Sequence, residues 1–123
     1  MITNFEEETK PLNDLEKNAA TAIANRLMKF HVGVKQRVTG DRIASGMSYM
    51  LPMNGARVRK IINYLRTVKG MLIMSDSKGY YIAENDEQIE ECIRSQRERA
   101  KAILYVADCL EQNLMLKRQN LTL

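Results

Sequence analysis

NGARVRKIINYLRTVK, residues 54–69, has the pattern of an amphipathic helix. Asn54 is a good N-cap and Gly70 a good stop signal. The apolar residues recur at helical spacing and form one stripe, made of Val58, Ile61, Ile62, Leu65 and Val68. The opposite face has no acid and consists of Ala56, Arg59, Lys60, Asn63 and Thr67, with Arg57 and Arg66 at its edges. Such a face suits phosphate contacts and the reading of base edges in a major groove, but an ordinary solvated helix face has the same composition.

The positive charge of the chain is concentrated around this helix. Between Arg26 and Lys69 there are ten cations and one acid, Asp41, so this segment has a net charge of +9. The whole chain is +4, and the remainder therefore carries −5. A concentrated basic block is the electrostatic pattern expected of a protein that binds a polyanion, and it favours a nucleic acid as the partner.

Length and composition favour one soluble domain with a modest core. The 123 residues contain no apolar run near the roughly 20 residues that a membrane span needs. The first residues, MITNFEEETK, are acidic and lack the features of a signal peptide. Cys92 and Cys109 lie on one predicted helix, too far apart for a disulfide within it, and are expected to be reduced thiols. A cytoplasmic location is therefore expected.

The N-terminal part of the chain is predicted to begin as a tail and continue as a helix. Residues 1–13 are rich in acids and contain a proline, which is typical of a mobile segment. The next residues have a helical apolar period over 15–30, and Asp14 or Asn18 could cap this helix. His31 follows, and a lone histidine here is predicted to be a surface residue rather than a ligand or base.

A short strand and a second helix are predicted before the basic helix. The strand lies around 37–39, and Thr39 is placed to N-cap a helix at 40–47. The linker that follows is too apolar for a free loop. We therefore expect four of its side chains to pack under the helices: Tyr49, Met50, Leu51 and Met53.

After Gly70 the pattern changes to that of a β-hairpin. MLIMS and YYIA are of strand length, and the turn DSKG between them contains Gly79, which can adopt a positive φ. Tyr80 and Tyr81 should point to opposite faces, one packed on the core and the other exposed. Lys78 at the tip of the hairpin is available to a phosphate.

A long helix is predicted from Asn85 to about residue 117. Asn85 and Gln88 resemble a capping box. Residues with a 4-3 spacing form a heptad seam, which consists of Ile89, Ile93, Gln96, Ala100, Ile103, Ala107, Leu110 and Leu114. About thirty residues at roughly 1.5 Å each exceed the width of so small a domain, so part of this seam is expected to contact a second copy. The alternatives are a helix that packs wholly on its own domain and a helix that is broken near Ser95.

The order of these elements resembles a winged helix-turn-helix domain of the biotin-repressor type. RVTGDRIA, from Arg37, looks like the strand-to-helix entry of such domains, and ARVRKIINYLR, from Ala56, looks like their recognition helix. KGYYI, from Lys78, looks like the return strand of the wing. The resemblance covers about 19–84 and extends to small phage or prophage winged-helix proteins. It departs from the family pattern at 48–53, a link longer and more apolar than a tight turn.

The expected fold class is mostly α with a small β-hairpin wing, α+β, as a winged helix-turn-helix followed by a long helix. The expected organisation is an acidic tail at 1–13, a DNA-binding domain at 14–84, a dimerisation helix at 85–118 and a tail at 119–123. The residues predicted to form the dimer are Ile93, Ala100, Ile103, Ala107, Leu110 and Leu114.

The sequence gives little support for catalysis. One histidine and two cysteines without C-x-x-C spacing cannot build a usual metal site, and no glycine-rich phosphate loop is present. Ser45, Cys92 and Cys109 lack a supporting motif for a nucleophile. We therefore expect a protein that is not an enzyme, with no cofactor, no metal and no evident small-molecule substrate.

The expected function is sequence-specific binding of double-stranded DNA, as a phage or mobile-element transcription regulator or replication-origin binder. In that case the location is the bacterial host cytoplasm. The alternative is a winged-helix adaptor that binds a host or replication protein, which the tyrosines 49 and 64 and the methionines 47, 50 and 53 would favour. The residues expected to contact DNA are Thr39, Arg42, Asn54, Arg57, Arg59, Lys60, Asn63 and Lys78.

Overall fold

A computed structural model of the chain describes residues 10–119, in which helices predominate and one antiparallel hairpin is present. The chain divides into two compact units, with the boundary between Ile89 and Glu90. The elements of the described part are α1 (Asp14–Phe30), a 3₁₀ turn (Val34–Gln36), α2 (Gly40–Met47), α3 (Gly55–Thr67), β1 (Ile73–Asp76), β2 (Gly79–Ile82) and α4 (Asp86–Arg118). The α+β class expected from the sequence is therefore confirmed at this level.

Helix α1 begins one residue earlier than predicted and has a different cap. Asn13 is the N-cap: its side-chain oxygen accepts from the Glu16 N–H, and the Glu16 side chain accepts from the Asn13 N–H. The prediction of Asp14 or Asn18 as the cap was wrong. Leu12 is buried, so the expected mobile tail does not extend to it, and the rest of that prediction, 1–9, lies outside the described residues.

The caps of α2 and α3 are those predicted. Thr39 Oγ1 accepts from the Arg42 N–H at 3.2 Å, and Asn54 Oδ1 accepts from the Arg57 N–H at 2.9 Å. Each cap satisfies a backbone donor that the first turn of a helix leaves without a partner. Both helices therefore begin where the side-chain chemistry of the sequence requires.

The hairpin pairs Ile73 with Ile82 and closes where Asp76 pairs with Gly79. Gly79 has a φ of 141°, and a Cβ there would lie 2.4 Å from the carbonyl oxygen of Val38, so this position requires glycine. The predicted strand at 37–39 is reduced to a single bridge, in which Val38 and Tyr80 exchange both backbone hydrogen bonds. This bridge attaches the residues before α2 to the hairpin.

One apolar core joins α1, α2, α3 and β1. The fully buried side chains on the helices come from positions with helical spacing, as the hydrophobic pattern requires, and include Ala19, Ile23, Leu27, Ile43, Val58, Ile61 and Ile62. Ile73 of β1 is also fully buried. Leu51 is buried and Met50 and Met53 pack against the core, as predicted, whereas Tyr49 is 78% exposed, which the sequence analysis did not expect. Tyr80 is half-buried and Tyr81 buried, so the prediction that one of them is exposed was also wrong.

Helix α4 is continuous over its 33 residues. Asn85 Oδ1 accepts from the Gln88 N–H, while the Gln88 side chain accepts from the N–H of Glu84 rather than that of Asn85. The first bond of the predicted capping box is therefore present, whereas the second is replaced by a bond to the preceding residue. Among residues 10–119, no helix combines the length and the apolar character that crossing a membrane requires.

Candidate nucleic-acid interface

The exposed side of α3 carries a polar stripe one residue wide. Ala56, Arg59, Asn63 and Thr67 follow one another at spacings of three or four residues, and we call them the outer stripe. Arg59 and Thr67 are exposed, while Ala56 and Asn63 are half-buried. The two small residues at the start of the helix, Gly55 and Ala56, would let another backbone approach α3 closely.

The neighbouring edge of α3 is occupied by an ion-pair cluster that we call the Glu16 cluster: Glu16, Arg57 and Lys60. The Glu16 side chain is 1% exposed and the Lys60 residue 8%. The Lys60 Nζ donates to both carboxylate oxygens, at 2.9 and 3.1 Å, and the Arg57 Nε donates to one of them at 3.1 Å. The Arg57 Nη1 also donates to the carbonyl oxygen of Pro52 at 2.6 Å.

The cluster keeps the Glu16 carboxylate charged despite its burial. Burial of this carboxylate raises its pKa. Hydrogen bonds from Lys60, from the Asn13 N–H and from Arg57 together outweigh burial and hold the pKa below its ordinary value of 4.5. Glu16 therefore has two structural functions, because it completes the cap of α1 and fixes α1 to α3.

The Glu16 cluster changes the candidate DNA-binding set. Lys60 was expected on the outward face, and that orientation was wrong, because its ammonium group is directed into the contact between α1 and α3. Arg57 is half-buried and donates to Glu16 and Pro52. Of the four α3 residues that the sequence analysis chose for base and phosphate contacts, Arg59 and Asn63 are the two on the outer stripe.

The start of α2 contributes a second basic patch. Thr39 and Arg42 are both exposed, and the Arg26 guanidinium of α1 lies 3.5 Å from the carbonyl oxygen of Arg42. An open cleft of about 440 Å³ is lined by Arg26, Asp41, Arg42, Ser45 and Gly46. Because Thr39 uses its hydroxyl oxygen as a cap, the guanidinium groups are the groups here best suited to bind an anion.

The hairpin tip presents one lysine beside a fixed carboxylate. The Lys78 side chain is exposed, and the backbone N–H of Lys78 donates to Asp76 Oδ1 at 2.8 Å. The other Asp76 oxygen accepts from Arg37 at 2.7 Å. Burial raises the Asp76 pKa, but the Lys78 N–H and Arg37 outweigh it and hold this pKa below its ordinary value. The tip therefore has a defined shape, from which the Lys78 ammonium group can extend.

Arg66 fixes the hairpin to the end of α3. Its Nε donates to the carbonyl oxygen of Ile73 at 2.7 Å, and its Nη2 donates to Ser75 Oγ at 2.9 Å. From the helical period alone, Arg66 was expected at the edge of the outward face, without a role in holding the hairpin. The bond to β1 means that α3 and the hairpin hold a fixed relation to each other.

A groove of about 580 Å³ runs between the N-terminal residues and the second half of α3. It brings two further lysines, Lys10 and Lys17, beside Asn63, although they precede the basic block in the sequence. The residues that line it are Lys10, Pro11, Leu12, Lys17, Lys60, Asn63, Tyr64, Thr67 and Val68. Neither lysine was among the predicted site residues, because both lie outside the contiguous basic segment between Arg26 and Lys69.

Two further observations complete the description of the site. No family model matches the chain, and the searches of curated proteins and of solved structures give no significant match. Within residues 10–119, no three side chains among histidine, cysteine, aspartate and glutamate form a group suited to a metal ion.

Proposed function

We propose that this chain is a winged-helix protein that binds double-stranded DNA, with α3 as the helix that enters the major groove. The order of elements supports this: two helices, α1 and α2, precede α3, and a hairpin follows it. The Val38 bridge and the Arg66 bonds fix the hairpin beside α3, as a wing must be fixed. On this proposal the protein is a transcription regulator or a replication-origin binder.

The observation that carries the proposal is the composition of the outer stripe. Arg59 and Asn63 are one helical turn apart on one side of α3, and the turn before them has the small residues Gly55 and Ala56. Arginine reads guanine and asparagine reads adenine through paired hydrogen bonds in the major groove. Small residues at the start of the helix remove the steric obstacle to inserting that end into a groove.

The surrounding cations supply the phosphate contacts in this proposal. Arg42 lies at the start of α2, Lys78 at the hairpin tip, and Lys10 and Lys17 beside the second half of α3. These groups come from separate elements of the same unit. Contacts to phosphates from several elements fix the orientation of a protein on the duplex, whereas base contacts give specificity.

The alternative function, a protein-interaction adaptor, has less support. Besides the long C-terminal helix, it depended on an apolar exposed surface made by two tyrosines and three methionines. Met47 is buried, Met50, Met53 and Tyr64 pack against the core, and Tyr49 is exposed. A single exposed tyrosine among these five residues is too small an apolar patch to favour a protein partner.

The experiment that tests the proposal is fluorescence anisotropy with a labelled 30-base-pair duplex of random sequence, at low and at physiological salt. Sequence-independent binding should be in the micromolar range and weaken steeply with salt, because each phosphate contact releases a counterion. The matched control is the single strand of the same sequence, which should bind more weakly. The absence of binding at low salt would refute the proposal. Tighter binding of the single strand would show that the surface binds single-stranded rather than double-stranded DNA.

A further inference from the structure

Helix α4 has exposed apolar side chains along its described length after Glu90. Ile103 is 45% exposed and Leu110 63%. The full set of large exposed apolar residues on this helix is Ile93, Ile103, Leu104, Tyr105, Val106, Leu110, Leu114 and Met115. An apolar surface of this length is costly in water and indicates that a partner covers it.

The exposed apolar residues include four members of the heptad seam predicted from the sequence: Ile93, Ile103, Leu110 and Leu114. A second copy could cover this seam in either orientation, since a heptad pattern by itself does not distinguish parallel from antiparallel helices. An antiparallel copy can align so that Ile93 lies opposite Leu110 and Ala100 opposite Ile103. In that register Gln96, the polar interruption, faces Ala107, which leaves space for its amide.

The orientation follows from the charges on one flank of the seam. On this flank the residues at every seventh position, beginning directly after Ile89, are in order Glu90, Arg97, Leu104, Glu111 and Arg118. Their signs are negative, positive, neutral, negative and positive. In the reverse order the signs are positive, negative, neutral, positive and negative, so every charge has the opposite sign and Leu104 stays at the centre. Two antiparallel copies of this flank therefore bring opposite charges together.

A parallel copy does not satisfy these charges. In a parallel pair this flank faces the opposite flank of the partner's seam. The residues of that opposite flank are Cys92, Arg99, Val106 and Asn113. That flank has one charge, which is positive, and offers no acid to Arg97 or Arg118. In the antiparallel pair, by contrast, Glu90 lies beside Arg118, Arg97 beside Glu111, and Leu104 near its own counterpart. Opposite charges at these flanking positions determine the orientation of paired helices.

We propose that α4 pairs with α4 of a second copy of this chain in an antiparallel arrangement, centred between Ala100 and Leu104. This inference depends on the exposure and charge order of α4 and is independent of DNA binding. It also specifies that the two Glu90 residues lie at opposite ends of the helix pair.

The first test is the mass of the full-length chain by sedimentation equilibrium, together with two flank variants. Glu90→Arg with Glu111→Arg makes the flank basic, and Arg97→Glu with Arg118→Glu makes it acidic. Each variant alone should dissociate on the order of tenfold more readily than the wild type, because four favourable pairs become repulsive. An equimolar mixture of the two variants should form a heterodimer of wild-type affinity.

The control is Glu91→Arg with Glu98→Arg, which changes the net charge by the same amount on the outer side of α4. Circular dichroism confirms that every variant retains its helix. A monomeric wild-type chain would overturn the proposal. A mixture that remains as weak as its two components would also overturn it, because a parallel pair gives the two variants no preference for each other.

Discussion

The two sides of α3 contain similar residues and have different functions in the structure. Arg59 on the outer stripe is exposed, whereas its sequence neighbour Lys60 is 8% exposed and donates to Glu16. Both are cations of one basic segment. The Lys60 ammonium group is buried against the acid that α1 places beside it. Positive charge in the sequence therefore indicates a partner for the segment as a whole, and only the tertiary contacts determine which cations remain accessible to that partner.

The first prediction concerns stability and has the largest expected effect. Glu16→Gln should lower the free energy of unfolding by about 3 kcal/mol, because it leaves the buried Lys60 ammonium without its counter-charge. Urea denaturation followed by circular dichroism measures this change. Asp14→Asn, the same chemical change at an exposed position of the same helical turn, is the control and should cost about 0.5 kcal/mol or less.

A second change distinguishes the ion pair from simple packing. Lys60→Met in the Glu16→Gln background should recover part of the lost stability, because it removes the buried charge that had lost its partner. Equal losses for Glu16→Gln and Asp14→Asn would contradict the structural role of the Glu16 cluster.

The second prediction concerns the pH dependence of stability. A protonated Glu16 resembles glutamine, so the stability lost at low pH should not exceed the loss caused by Glu16→Gln. The pKa of Glu16 is lower in the folded chain than its ordinary value of 4.5, so its stabilising effect is complete above about pH 4.5 and is lost as the pH falls through the folded pKa. The difference in unfolding free energy between wild type and Glu16→Gln should therefore narrow below pH 4.5. A difference that stays constant down to pH 2 would show that the charge of Glu16 does not contribute.

The third prediction separates the two sides of α3 in DNA binding. Arg59→Ala should weaken binding to a random duplex roughly tenfold and reduce the salt slope by about one unit, because one phosphate contact is lost. Lys60→Met should leave the salt slope unchanged, since this ammonium group already binds Glu16. Both are measured by anisotropy at a temperature where each variant is fully folded. A slope reduced by Lys60→Met would assign Lys60 to the interface.

The features that the sequence predicted correctly depend on local chemistry. Asn54 and Thr39 cap the helices that follow them, and Gly79 adopts the positive φ of the hairpin. Each of these depends on side-chain or backbone groups within a few residues. The Asn13–Glu16 capping box was also a local signal, because an asparagine followed three residues later by a glutamate is typical of a helix start, but it was not recognised.

The other features that were missed depend on contacts between distant residues. Glu16 is 44 residues from Lys60, and a helical period gives the angle of Lys60 around α3 without showing which element packs there. Tyr49 was expected to pack and is exposed, whereas Leu51, two residues later, is buried. The outer stripe could be predicted only in part from sequence, since its boundary is set by α1.

The fourth prediction has the smallest expected effect and concerns specificity. Asn63 is half-buried on the outer stripe, one turn after Arg59, where it can pair with an adenine edge. Asn63→Ala should leave binding to random DNA nearly unchanged, because an amide contributes little to phosphate attraction. In duplexes selected from a random library, the variant should lose about 1 kcal/mol of discrimination at one base pair. An identical selected sequence for wild type and variant would exclude Asn63 from base recognition and leave Arg59 as the residue of the outer stripe best suited to that role.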